Sequence, residues 1–120
     1  MKINKPGKTK KPGKQRKRLF NAALHIKQKL VSGSLSKELK KQLNKRSLPI
    51  RKGDEVKVTR GKFKGTVGKV SKVLLKRGEI YIDNVKRKRI NGEETHIAIH
   101  PSNLIITTPD MNDSRRIKKR

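Results

Sequence analysis

The sequence predicts a small, mainly β domain, an antiparallel barrel, preceded by a basic extension with short helices and followed by a basic tail. Beyond residue 51, short segments of alternating apolar residues follow one another with glycine-containing turns between them. This spacing is typical of small antiparallel barrels. Hydrophobic residues make up only 30% of the 120, so the chain supports one small core near the lower limit for independent folding.

The charge of the chain predicts its partner. Lys and Arg number 35 against 9 Asp and Glu, which gives a net charge of +26. A soluble small domain usually carries a net magnitude of about 2 to 8, so this chain requires an anionic partner, and the candidates are nucleic acid, an anionic membrane and an acidic protein. No apolar run approaches the roughly 20 residues of a membrane span, and no apolar stretch follows the first basic residues as in a secretory signal. Nucleic acid is therefore the expected partner, with no membrane, small-molecule substrate, cofactor or metal, and no independent homo-oligomer.

Charge and composition divide the chain into four segments. Residues 1–50 hold a net charge of +15 and thus over half of the total, although the predicted core lies after them. We expect a flexible basic arm (1–13), a basic extension with short helices (14–50), the barrel (51–109) and a basic tail (110–120). The arm repeats a Lys-Pro-Gly unit, which disfavours both helix and strand and leaves it extended.

The extension is expected to form two short helices. Apolar residues at 3–4 spacing, among them Leu19 and Ile26, predict the first helix over 14–26. Gly33 is expected to interrupt the chain. The second helix has Ser36 as its N-cap residue and Glu38 in its first turn, where a carboxylate is favourable. Pro49 is expected to close the extension.

The first hairpin of the barrel follows. Val56 and Val58 alternate with polar residues and predict a half-buried strand. Residues 60–65 form a predicted tight turn, and 67–75 form the second strand. The apolar residues of this second strand change phase along its length, which predicts a β-bulge near Gly68.

Three further strands complete the predicted barrel. Ile80 and Ile82 begin the third strand. Asn91-Gly92 is the strongest hairpin signal in the chain and joins 85–90 to 95–99. Residues 104–107 form the last short strand.

Two stretches of this region resemble a known motif. The sequence GDEVKV at 53–58, followed by GKFKGTVGKV at 61–70, resembles the KOW motif of ribosomal proteins and transcription elongation factors. The resemblance implies an SH3-like barrel and a bias towards RNA. The flanks RSLPIRKGD (46–54) and IHPSNL (99–104) resemble the archaeal and eukaryotic branch of the universal large-subunit ribosomal protein twenty-four family. KQRKR at 14–18 and the segment 24–35 resemble the N-terminal extension of that branch, so the resemblance covers roughly residues 14–108.

The resemblance implies a structural constituent of the large ribosomal subunit in the cytoplasm. In that family the protein binds large-subunit ribosomal RNA near its 5′ end, assists early assembly and lies near the polypeptide exit tunnel among neighbouring large-subunit proteins. The matched residues expected to contact ribosomal RNA are Arg60, Lys62 and Lys64 in the hairpin and Lys14, Arg16, Lys17 and Arg18 in the extension. RNA contact by the arm and by the tail, which includes Arg115 and Arg116, is expected from charge alone.

The basic run at 86–89, with Arg87 and Arg89, has two interpretations. It is either a solvated edge strand protected from aggregation by its charge, or an edge that faces phosphates. The aromatic residues are also ambiguous: we expect Phe63 to cap the core rather than contact a base, whereas Tyr81 faces outwards towards either solvent or RNA.

Catalytic and metal sites are not expected. His25, His96 and His100 are the only histidines, no cysteine accompanies them, and so small a core leaves little room for a cleft. Asp54 and Glu55 are interpreted as turn and edge residues. The remaining alternatives are a KOW-domain transcription elongation factor, which usually carries a further domain that contacts polymerase, and a protein that binds nucleic acid without specificity.

Overall fold

The computed structural model describes residues 9–117. Residues 1–8 of the expected arm and 118–120 of the expected tail lie outside the described residues. The helices are α1 (Pro12–Asn21), α2 (Leu24–Leu30) and α3 (Lys37–Leu43), and a 3-10 turn spans Pro101–Asn103. The strands are β1 (Ser32–Leu35), β2 (Ser47–Pro49), β3 (Glu55–Val58), β4 (Val67–Leu74), β5 (Glu79–Lys88), β6 (Glu94–Ile99) and β7 (Leu104–Thr108). Between residues 9 and 117, no helix is long and apolar enough to cross a membrane.

All seven strands form one sheet in the order β2-β1-β7-β3-β4-β5-β6. The mainly β fold is confirmed. Neighbouring strands are antiparallel except β1 and β7, which are parallel, with Ser34 opposite Ile105 and Leu35 opposite Ile106. Within residues 51–109, where the antiparallel barrel was expected, every strand pairing is antiparallel, and the one parallel pair of the described residues involves β1 of the extension. No hairpin links β1 to β7, so no tight turn imposes an antiparallel direction on this pair.

Strands β1 and β2 lie in the extension where only helices were expected. Gly33, expected to interrupt the chain, is a buried residue inside β1. A Cβ atom at this position would lie 2.8 Å from Cδ1 of Ile50, so the glycine permits the side chain of Ile50 to pack closely against β1. Serine and glycine have weak strand propensity, and β1 forms because β2 and β7 provide hydrogen-bonding partners on both sides.

The core is one cluster of buried aliphatic residues that both parts of the chain share. Its members are Val31, Leu35, Leu48, Ile50, Val56, Val58, Val70, Ile80, Ile82, Val85, Leu104 and Ile106. The first four come from the extension, so the extension supplies part of the barrel core itself. This sharing explains how a chain with few hydrophobic residues buries enough apolar surface to fold.

The bulge in β4, expected near Gly68, lies two to four residues further along the strand. Gly68 pairs regularly with Val56, and the register shifts instead between Val70 and Lys72. At the shift, the Ser71 hydroxyl donates a hydrogen bond of 3.1 Å to the carbonyl of Tyr81. Gly68 has a different role, because a Cβ there would lie 2.7 Å from Cγ2 of the buried Ile82.

The single helix expected over 14–26 is two helices. Helix α1 begins earlier, with Pro12 in its first turn, where proline is tolerated. Ala22 and Ala23 are extended and separate α1 from α2. Neither helix has a buried residue, so no core packing favours one continuous helix. Helix α3 begins as expected, with the Ser36 hydroxyl accepting a hydrogen bond from the Leu39 N–H at 3.4 Å.

Candidate nucleic-acid interface

The turn between β3 and β4 holds three cations on a rigid support. Gly61 and Gly65 have positive φ angles of 93° and 88°, the left-handed conformation that favours glycine. The N–H of Gly65 donates to the Val58 carbonyl at 2.8 Å and closes the turn. Arg60, Lys62 and Lys64 are exposed, and none of them forms an ion pair within the described residues. Their charges are thus available to an anionic ligand.

Phe63 fixes the turn to the barrel. Its side chain is partly buried and packs against the core, as expected for an aromatic turn residue. An aromatic anchor directly between Lys62 and Lys64 limits the motion of both backbone positions. The turn therefore presents its cations with little conformational freedom left to lose on binding.

Lys62 lies beside the basic run of β5. An open groove of about 510 Å³, here named the tip groove, is lined by Lys62, Phe63, Lys86, Arg87, Lys88 and Ile97. Arg87 forms no ion pair within the described residues, whereas Lys86 is 3.5 Å from a carboxylate oxygen of Glu94. The fold thus brings together two cations, Lys62 and Arg87, that are 25 positions apart in sequence.

Arg89 lies outside the tip groove, near the end of the β5–β6 hairpin. It lines a second open groove with Arg87 and Thr95, and its guanidinium is 3.9 Å from a carboxylate oxygen of Glu93. This hairpin has the expected turn: Gly92 has a φ angle of 85°, and its N–H donates to the Arg89 carbonyl at 3.0 Å. The Glu93 carboxylate offsets part of the Arg89 charge.

Helix α1 carries its four predicted contact residues on two faces. Lys14, Lys17 and Arg18 are three or four residues apart and share one exposed face. Arg16 lies on the opposite side, together with Leu19 and Phe20. None of the four lines the tip groove, so the structure separates the α1 cations from those of the turn.

A buried ion pair joins the motif to the C-terminal segment. Asp54, expected to be a turn or edge residue, is fully buried, and Arg116, expected to belong to a basic RNA-binding tail, has a side chain only 2% exposed. The Arg116 guanidinium donates to both carboxylate oxygens of Asp54. It also donates to the carbonyls of Asp110 at 2.9 Å and Pro49 at 3.0 Å. RNA contact by Arg116 is therefore excluded in this fold.

The Asp54 carboxylate has further donors. The backbone N–H groups of Arg51 and Asp110 each donate to it at 2.9 Å. A carboxylate with two backbone N–H groups and a bidentate guanidinium is well satisfied despite its burial. The two partners are 62 residues apart, and no local pattern in the sequence indicates their pairing.

A second, exposed pair lies beside the first. The Arg51 guanidinium is 2.9 Å from a carboxylate oxygen of Asp113. The hydrogen bond from Arg51, followed by the one from the Arg115 backbone N–H, lowers the pKa of Asp113 below its usual value. The C-terminal clasp, as we name it, consists of the two pairs Asp54–Arg116 and Arg51–Asp113, and it ties residues 110–117 to the barrel.

Tyr81 faces away from the core, as expected from its position between Ile80 and Ile82. Its hydroxyl donates to a carboxylate oxygen of Glu79 at 3.1 Å. This hydrogen bond, with a smaller effect of desolvation, raises the pKa of Tyr81 above its usual value. Contact of Tyr81 with RNA stays a prediction.

The three histidines are used locally or exposed. His25 is exposed on α2, the His96 ring lies 3.4 Å from the Ile82 carbonyl, and the His100 ring lies 2.7 Å from the Ser102 hydroxyl. Within residues 9–117, no three side chains of His, Cys, Asp or Glu are grouped so that they would hold a metal ion.

The chain matches a known protein family over most of its length. The family model described as ribosomal proteins L26 eukaryotic, L24P archaeal matches residues 9–119. The matched region includes the tip groove, helix α1 and the C-terminal clasp.

Proposed function

Since the chain belongs to the family of ribosomal proteins L26 of eukaryotes and L24P of archaea, and is thus a structural protein of the large ribosomal subunit, we propose that it binds large-subunit ribosomal RNA through its backbone phosphates. The observation that carries this proposal is the tip groove, where Lys62 and Arg87 converge beside a rigid turn and no ion pair within the described residues engages either. Lys and Arg side chains are common donors to phosphate oxygens, and these two have no carboxylate among the described residues that competes for their charge.

The proposed contact residues form two groups. The first group belongs to the barrel and comprises Arg60, Lys62, Lys64, Arg87 and Arg89. The second belongs to α1 and comprises Lys14, Arg16, Lys17 and Arg18. Because the two groups are separate, the barrel would bind one part of the RNA and the extension would bind another part. Arg89 contributes less than Arg87 in this proposal, because Glu93 offsets part of its charge.

The finer role follows from the resemblance to the family. We propose binding near the 5′ end of large-subunit ribosomal RNA, a contribution to early subunit assembly, and a position near the polypeptide exit tunnel of cytoplasmic ribosomes beside neighbouring large-subunit proteins. The proposed domain organisation is a basic arm over 1–13, an extension over 14–50, a barrel over 51–109 and a tail over 110–120. The family is typically non-enzymatic, and we propose no catalytic role.

The test uses the salt dependence of RNA binding. Affinity of the full chain for a transcript of the 5′-terminal region of large-subunit ribosomal RNA is measured at several salt concentrations. Lys62→Ala with Lys64→Ala removes two phosphate contacts and should flatten the slope of log affinity against log salt by roughly 1.4 to 1.8. The matched control is Lys37→Ala with Lys41→Ala on α3, which removes the same charge from exposed positions outside both proposed groups.

Two results would contradict the proposal. If the Lys62→Ala, Lys64→Ala variant and the α3 control have equal slopes of log affinity against log salt, the turn is not part of the interface. Net charge alone would then attract the RNA. Equal affinity for the ribosomal transcript and for duplex DNA of the same length would favour the non-specific alternative. Co-sedimentation with large ribosomal subunits after a high-salt wash distinguishes the ribosomal role from a transcription factor, which would instead remain with polymerase.

A further inference from the structure

The two N-terminal helices expose an unusual amount of apolar surface. Five of the eight large apolar side chains exposed in the described residues lie between positions 19 and 30, and Phe20 is 84% exposed. No residue of α1 or α2 is buried in the core. The fold of the isolated chain therefore gains little from these side chains, and such a patch usually marks a binding surface.

These side chains form a groove with a cationic edge. The helical groove, as we name it, has a volume of about 740 Å³, within the range of roughly 300 to 1,000 Å³ that is common for ligand sites. Leu19, Phe20 and Leu24 provide its apolar wall, and Ala22 and Ala23 also line it. Its cations are Arg16, Lys27 and Lys76, which come from α1, α2 and the turn after β4.

Lys27 holds the groove in shape. Its ammonium donates to the Phe20 carbonyl at 3.1 Å and to the Lys76 carbonyl at 3.4 Å, so it ties the end of α1 to the turn after β4. Arg16 and Lys76 form no ion pair within the described residues. The backbone that carries Phe20 is thus fixed while two charges at the edge stay available.

The chemistry of the groove selects its ligand. Between Thr9 and Leu35 the chain has eight Lys and Arg and no Asp or Glu, which favours an anionic ligand. Because the wall of the groove is apolar, the ligand should also have an apolar part that packs against this wall. A nucleotide has this composition: its base is flat and apolar on both faces, and its phosphates are charged. The alanines beside Phe20 leave room for a flat ring, and an exposed aromatic face is the usual platform for an unstacked base.

We propose that the helical groove binds one unstacked nucleotide of ribosomal RNA, with its base against Phe20 and its flanking phosphates at Arg16 and Lys76. This inference rests on the proposed function and adds a site that recognises a base rather than the backbone alone. The site lies on the face of α1 opposite Lys14, Lys17 and Arg18, so α1 contacts the RNA on two sides.

The test compares three substitutions of Phe20 in the full chain with the same ribosomal transcript. Phe20→Ala should weaken binding about 5- to 140-fold at fixed salt, because base stacking is lost. The slope against salt should not change, since no phosphate contact is removed. Phe20→Tyr keeps the aromatic face and should bind like the native chain. Phe20→Leu keeps apolar area without the aromatic face and should bind as weakly as Phe20→Ala.

Cross-linking gives an independent measurement. Irradiation of the complex at short ultraviolet wavelength, followed by mass spectrometry, should identify a nucleotide attached to Phe20. Full affinity of Phe20→Leu together with loss in Phe20→Ala would overturn the proposal, because an apolar contact without stacking would then suffice. Unchanged RNA affinity of Phe20→Ala but poorer incorporation into subunits would also overturn it and assign the groove to a neighbouring protein.

Failure of this inference is distinguishable from failure of the proposed function. If Phe20→Ala binds like the native chain while the Lys62 and Lys64 variant still flattens the salt slope, only the nucleotide site is wrong. If the native chain itself does not distinguish the ribosomal transcript from duplex DNA, the proposed function is wrong.

Discussion

Arg116→Met tests whether the C-terminal clasp stabilises the barrel. Methionine keeps a long apolar stem and removes the guanidinium, together with its bonds to Asp54, Asp110 and Pro49. The Asp54 carboxylate then stays buried with two backbone N–H donors, from Arg51 and Asp110. Removing one member of a buried ion pair destabilises by about 3 to 5 kcal/mol. We expect the lower part of this range, because the backbone donors remain.

The adjacent residue provides the control. Arg115 is exposed, and Arg115→Met removes the same charge from the same segment. Exposed substitutions of this kind change the free energy of unfolding by no more than about 0.5 kcal/mol. At roughly 4 to 8 °C per kcal/mol, a loss in the lower part of that range, about 3 to 4 kcal/mol, should lower the Tm of Arg116→Met by roughly 12 to 32 °C. Arg115→Met should change it by only a few degrees.

The assay is thermal and urea denaturation of the full chain, followed by circular dichroism, since the chain has no tryptophan. A double-mutant cycle isolates the pair: Asp54→Asn combined with Arg116→Met should destabilise less than the two single effects added together, because no unpaired charge is left buried. If Arg116→Met and Arg115→Met have the same free energy of unfolding, the clasp contributes nothing and the reasoning is refuted.

Two further predictions concern close packing and acid stability. Gly68→Ala should destabilise by about 1 to 3 kcal/mol, because its Cβ would lie 2.7 Å from Cγ2 of Ile82. Gly13→Ala, with no atom within 4 Å of the added Cβ, is the matched control, and equal urea midpoints for both variants would contradict the role given to Gly68. The Arg51–Asp113 pair should stabilise the fold above the unfolded pKa of Asp113, about 3.9, and this contribution should disappear as the pH falls through the lowered folded pKa. Denaturation at pH 6 and at pH 2 should therefore show a larger loss of stability for the native chain than for Asp113→Asn. Asp83→Asn, which changes an exposed carboxylate outside the clasp, should behave like the native chain, and an equal acid loss in all three chains would exclude the pair as a source of acid sensitivity.

Local features were predictable because neighbouring residues decide them. The positive φ angles at Gly61, Gly65 and Gly92 follow from turn chemistry, and the start of α3 follows from Ser36 as N-cap. The bulge in β4 was predicted in the right part of the strand but not to the residue. Gly68 and the Val70–Lys72 step both fit the phase change in sequence, and only the pairing register with the neighbouring strands distinguishes them.

The candidate interface was predictable in composition but not in arrangement. The net charge and the basic residues of the turn, of β5 and of α1 are read directly from the sequence. The convergence of Lys62 with Arg87, and that of Arg16 with Lys76, appear only in the fold. Phe20 had no role in the sequence-based interpretation. Ala22 and Ala23 were expected inside one continuous helix, whereas in the fold they separate α1 from α2 and line the helical groove.

The sequence by itself predicted the class of partner and determined the mainly β fold and the turns, because charge, apolar alternation and glycine positions act over a few residues. Tertiary structure decided which charged groups stay exposed and which support the fold. Arg116 belongs to a basic tail by composition, yet it is buried because Asp54, 62 residues away, supplies the carboxylate that its charge requires. Strand β1 likewise forms from weak strand residues because β2 and β7 satisfy its backbone. In both cases the hydrogen-bond partners, and the residues that bury the group, are distant in sequence. A local sequence pattern therefore does not predict them.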